Sequence, residues 1–148
     1  MQILKTKLIA SDYMAGVGIS YVKVQTRYGE YEGRAVCHIK DMEIESEFTG
    51  CQIAEIKAVI AAYKDYRKIL KAQIDLLEHF LNSATKDFKF TRDHKRMVLR
   101  LEALKKERNF YKDIIKQLYL SIPSLIDLKR QSLINIEQRK ERRMKQNG

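Results

Sequence analysis

Glycine is confined almost entirely to one third of this chain, and that confinement decides what the remainder can be. Gly16, Gly18, Gly29, Gly33 and Gly50 fall within the first fifty residues, and the sixth is the last residue, Gly148. The sole proline is Pro123. These two residue types punctuate regular structure, so residues 51 to 122 are expected to be helical with little interruption. Turns and strands belong to what precedes them.

The glycine-bearing part reads as β structure. Tyr21–Gln25 alternates apolar and polar, and Tyr31–Val36 does so more loosely. Between them Arg27-Tyr28-Gly29-Glu30 supplies a turn, with a glycine available for positive φ. Ile3-Leu4 with Leu8-Ile9 is expected to add a strand, for a small antiparallel sheet of three or four strands over residues 1–45.

Helical periodicity takes over afterwards. A first helix is predicted from between Glu47 and Gln52 to about Asn82, with Ile53, Ile56, Ile60, Tyr63, Leu70, Ile74, Leu77 and Leu81 spaced by threes and fours. Asn82–Asp87 reads as a loop. Thr91 is the expected N-cap of a second helix, with Asp93 in its first turn. Its seam is Met97, Leu101, Leu104, Tyr111, Ile115, Leu118 and Ile122. Pro123 is expected to end or kink this helix. A separate C-terminal helix or arm over 123–148 then follows, finishing in the basic run Arg139–Lys145. The fold class is thus α+β: a small antiparallel sheet, a long antiparallel helical hairpin over 46–122 in the same domain, and a C-terminal helix.

Two positions break the seams. Arg67 stands where a hydrophobe is due between Tyr63 and Leu70, and Arg108 does the same between Leu104 and Tyr111. The short loop makes the helices antiparallel neighbours. At ~1.5 Å per residue both arginines lie roughly 22–24 Å from it, at nearly one height. Burying one unpaired charge costs several kcal/mol, a second like charge adds to it, and arginine does not deprotonate. Either an internal carboxylate such as Asp65 or Glu107, snorkelling or a hydrated subunit interface compensates them, or a phosphate-bearing ligand does. Planar guanidiniums suit phosphate, and Lys112, four residues after Arg108, would extend such a site on the same helix face.

Around this pair, Phe88 and Phe90 in the interhelical loop are candidates either to stack on a base or to cap the helical hairpin; Tyr28 in the β-turn is similar. The net charge of +10 favours anionic partners. Two cysteines, Cys37 and Cys51, read as reduced, buried thiols of an intracellular protein. No stretch of some twenty apolar residues suggests a membrane span. Gly16-Val17-Gly18 is no dinucleotide fingerprint, Cys37-His38 lacks partners for zinc, and no spacing marks a nucleophile with its base. No metal, cofactor or catalytic residue is nominated, and the chain reads as a binding protein with no enzymatic activity.

The run Val22–His38, followed by Thr49–Ala58, resembles the Thoeris anti-defence proteins of the first type. These phage proteins sequester cyclised ADP-ribose signals made by bacterial TIR-domain enzymes. The resemblance covers roughly residues 20 to 120. It implies a small sheet with long helices, a homo-oligomer, and capture of a cyclic nucleotide without degradation in the bacterial cytoplasm. Some relatives of that family also take cyclic oligonucleotides. Arg67, Arg108 and Phe88 are similar in kind to the family's ligand-binding residues. Thr91 and Arg92 adjoin Phe88, and Arg27, Tyr28 and Gly29 form the turn that resembles its second ligand site. The stretch from Pro123 to Gly148 is longer than the family's usual end. Two alternatives stand beside this reading: a basic nucleic-acid-binding or nuclease-inhibiting phage protein, and a structural coiled-coil protein in which internal carboxylates neutralise both arginines.

Overall fold

Strand alternation in the first part of the chain produces a three-stranded antiparallel sheet in the order β1 (Lys7–Met14), β2 (Ile19–Thr26), β3 (Gly29–Val36). The computed structural model describes residues 3–14, 17–37 and 47–147, without the side chains of Glu47, Phe48 and Phe90. Gly16, His38 and the expected boundary near residue 45 lie outside the described residues. In β2, Ser20, Val22, Val24 and Thr26 are buried while their neighbours are more exposed, as a strand with one covered face requires. The β2–β3 turn is Arg27-Tyr28, closed by Thr26 opposite Gly29, whose φ is 147°. Thr26 Oγ1 accepts the Tyr28 amide at 3.1 Å.

The expected additional strand forms over Leu8-Ile9 as part of β1 but does not include Ile3-Leu4, because β1 begins at Lys7. Leu4 is instead buried among the helices, and its amide donates to the Tyr111 hydroxyl at 2.7 Å. One apolar residue gains more by filling that core than by lengthening an edge strand that is otherwise largely exposed.

Helix α1 (Glu47–Asn82) follows the predicted span. Its first half carries the sheet: Ile53, Ala54 and Ala58 form one core cluster with Val22, Val24 and Ala35. The approach is close because the facing residues are small. A Cβ at Gly33 would lie 1.8 Å from the Ala54 carbonyl oxygen and 2.5 Å from the Ala58 nitrogen. A single 3-10 turn (Phe88–Phe90) leads to α2 (Arg92–Asn147). Thr91 caps α2 as expected, its hydroxyl accepting the His94 amide at 3.2 Å. The second cluster joins Ile60, Tyr63, Leu70 and Ile74 of α1 to Leu104, Tyr111 and Ile115 of α2, with Leu101 and Leu118 packed against it.

Pro123 does not end the helix, and no separate C-terminal helix follows. α2 runs through it as one element of 56 residues. Two causes are visible. Ile122, Leu125 and Ile126 pack against the sheet–α1 cluster, which holds the chain in line. The proline costs the ladder only the bond to the Tyr119 carbonyl, and Ser121 and Ser124 donate their hydroxyls to the flanking carbonyls of Leu118 and Leu120, at 2.6 and 3.4 Å. Cys37 and Cys51 are free thiols, half-buried instead of buried. No helix among the described residues is long and apolar enough to cross a membrane.

Candidate functional site

The waist of the molecule is a tyrosine cluster assembled from three elements. Tyr66 of α1 meets Tyr111 of α2 edge-on at 4.9 Å between centroids, and Tyr63 meets Tyr111 at 5.2 Å. Tyr28, at the tip of the β2–β3 turn, stacks on Tyr66 at 5.5 Å and 30°. The Arg27 guanidinium lies 4.8 Å above the Tyr28 ring, within range of a cation–π contact. Beside this stack opens a cleft of about 300 Å³ lined by Ile3, Leu4, Lys5, Arg27 and Tyr66. Its cationic wall and aromatic floor are what a planar anionic ligand needs.

The seam arginines belong to this level. Tyr66 donates its hydroxyl to Glu107 at 2.7 Å, and Arg67 and Arg108 are the next residues along their helices. Both are half-buried. Neither forms an ion pair among the described residues, and the Arg67 Nε is buried without a hydrogen-bond partner. The two carboxylates nearest in sequence are occupied by phenols: Asp65 accepts the Tyr31 hydroxyl and Glu107 accepts that of Tyr66. Burial, reinforced by Asp65, pushes the Tyr31 hydroxyl up to about 12. Burial and then the Glu107 hydrogen bond raise Tyr66 well above the ordinary phenol range. These tyrosines therefore remain neutral donors at physiological pH.

The nine predicted residues separate into two groups within one chain. Arg27, Tyr28 and the turn-forming Gly29 join the Arg67–Arg108 level through Tyr66, and Lys112, exposed, follows Tyr111 there. Phe88, Thr91 and Arg92 sit at the tip of the helical hairpin instead. Phe80, against which Phe88 packs, is fourteen residues beyond Tyr66 on α1, roughly 21 Å away. Phe88 packs edge-on against Phe80 at 5.6 Å and His94 at 5.9 Å, so within the chain it caps the hairpin. Thr91 is engaged as the α2 cap, and Arg92 is exposed.

Next to that cap an apolar groove of about 720 Å³ runs between the helices, with Leu76, His79, Phe80, Met97 and Arg100 among its walls. Sequence reasoning missed this groove and the Lys5 side of the waist cleft. Phe80 and Leu76 lie off the seam period, which was the available signal. Nothing in the spacing of Lys5 tied it to Tyr66. Among the described residues, no group of three or more His, Cys, Asp or Glu could hold a metal ion.

Comparison with known protein families, with characterised proteins and with solved structures finds no match to this chain.

Proposed function

We propose that this chain is a phage or prophage anti-defence protein that binds and sequesters a cyclic nucleotide immune signal, a cyclised ADP-ribose or a cyclic oligonucleotide, without degrading it. One observation carries the reading: two half-buried arginines share a level of the hairpin, Arg67 Nε has no partner, and Asp65 and Glu107 are committed to tyrosines. A half-buried guanidinium with a buried, unpartnered Nε is costly to leave so, and an external anion would satisfy it. The tyrosine floor and Arg27 offer a base and a phosphate complementary surfaces. The resemblance over residues 20–120 supplies the class of ligand, the homo-oligomeric state and the host cytoplasm as the place of action. The structural coiled-coil reading is less well supported, since it needs the ion pairs that Arg67 and Arg108 do not make with Asp65 and Glu107.

The test is capture and release. Purified protein is mixed with cyclised ADP-ribose isomers and cyclic oligonucleotides, freed of unbound ligand, heat-denatured, and the supernatant identified by mass spectrometry. Intact ligand in near-stoichiometric yield is expected, and it should disappear in Arg108→Ala with helical circular dichroism unchanged. Release of an altered ligand would show an enzyme. Capture by Arg108→Ala at the wild-type level would remove the seam arginines from the site.

A further inference from the structure

α2 is 56 residues long and α1 is 36, so at ~1.5 Å per residue α2 exceeds its partner by about 30 Å. Neither core cluster includes an α2 residue beyond Ile126 among the described residues. From 129 to 147 every position is exposed except Lys129 and Leu133, which are half-buried. This projecting end holds seven Lys or Arg against two Glu.

Six of the seven cations share one side of the helix. At roughly 100° per residue, Lys129, Arg139, Lys140, Arg142, Arg143 and Lys145 fall in one arc of about 220° that contains no acid. The other side chains in that arc are Gln131, Ser132, Asn135, Gln138, Gln146 and Asn147, with Ile136 as the one apolar exception. Glu137 and Glu141 lie on the opposite side with Arg130, Leu133, Ile134 and Met144. A helix resting on a flat anionic surface uses one narrow face. An arc this wide addresses phosphates on two walls at once, and its Arg, Lys, Asn, Gln and Ser are the side chains that contact phosphates and base edges.

From this juxtaposition we infer that the projecting end of α2, residues 129–147, is a docking helix for double-stranded DNA, seated in the major groove. That groove is wide enough for an α-helix, whereas the deep, narrow major groove of duplex RNA is closed to one. The inference uses none of the seam arginines and stands whether or not a nucleotide is captured at the waist.

Fluorescence anisotropy of a labelled DNA duplex of about two helical turns, titrated with the full chain, tests it. Binding is expected to weaken steeply as salt rises from about 50 to about 200 mM. The triple variant Arg139→Gln/Arg142→Gln/Arg143→Gln should lose at least about tenfold in affinity and lower the log–log salt slope by about 3, since each phosphate contact contributes about 0.9. A charge-matched triple, Lys86→Gln/Lys95→Gln/Arg96→Gln, should stay within about threefold of wild type. Glutamine keeps nearly the helix propensity of arginine, so circular dichroism should be unchanged. The inference is overturned by absence of binding at the lower salt, by equal losses in the two triples, or by duplex RNA binding as tightly as DNA. Tighter binding to phosphatidylserine vesicles or polyglutamate than to the duplex overturns it too.

Discussion

Tyr66 donates its phenolic hydroxyl to Glu107 across the helical hairpin, 2.7 Å between oxygens, and so engages the carboxylate one residue from Arg108. The phenol both fixes the register of the two helices and occupies the acid that would otherwise be first to neutralise a seam arginine. Glu107 therefore stabilises the fold and, as a negative charge at the same level, opposes any incoming anion.

Glu107→Gln separates these two roles. The amide oxygen still accepts from Tyr66, but a hydrogen bond to a charged group becomes one to a neutral group, which should cost about 1 kcal/mol in urea denaturation. Removing the negative charge should tighten anion capture several-fold in calorimetric titration. Weaker capture would mean that the carboxylate contacts the ligand directly.

Arg67→Met should move stability and binding in opposite directions. The Nε is buried and unpartnered, so an unbranched apolar side chain of similar length removes a desolvation penalty. Removing one unsatisfied buried donor from a half-buried side chain should stabilise by about 1 kcal/mol. The urea midpoint should rise while nucleotide capture falls at least about tenfold. A destabilised Arg67→Met protein would show that the guanidinium is satisfied within the free chain.

The helices and their seams were legible because spacing by threes and fours survives any tertiary context that buries one face. The α1 bounds and the Thr91 cap followed from local chemistry alone. Pro123 misled for the same reason: its local rule was overruled by Ile122, Leu125 and Ile126, whose packing is a long-range fact. The height shared by Arg67 and Arg108 could be computed from helix rise, and the Tyr66–Glu107 contact agrees with it. What spacing could not carry was the β-turn docking on α1. Tyr28 and Tyr66 are remote in sequence, and neither periodicity nor charge announces a stack between them. The separation of Phe88 from Arg67 was implicit in the same rise that aligned the arginines.

Gly33→Ala should unfold or nearly unfold the chain. The new methyl would meet the Ala54 carbonyl oxygen at 1.8 Å and the Ala58 nitrogen at 2.5 Å, both backbone atoms. Sheet and helix must separate to admit it, at a cost of at least about 3 kcal/mol. Because the obstacle is main chain, adding Ala54→Gly should not rescue it. Thermal melts of the single and double variants decide the point, and a stable single variant would show that the sheet can shift on α1.

Alkaline unfolding should begin with the phenols. Burial raises Tyr63, Tyr66 and Tyr111 above the ordinary value of 10.0, and Tyr31, also held by Asp65, ionises at about 12. In the unfolded chain these groups release protons first, so the folded state holds more protons above pH ~10 and stability must fall as pH rises. Their contribution is fully present below about pH 10 and is lost as pH climbs through the folded values, with Tyr31 gone near 12. Urea midpoints should be insensitive to phenol ionisation at neutral pH and decline from about pH 10, with tyrosinate absorbance of the folded protein still rising near pH 12. Tyr31→Phe should delete the step near pH 12 and leave that of Tyr66, which is raised further. If the amplitude near pH 12 is unchanged in Tyr31→Phe, another buried phenol carries it and the Tyr31–Asp65 bond is weaker than its geometry indicates.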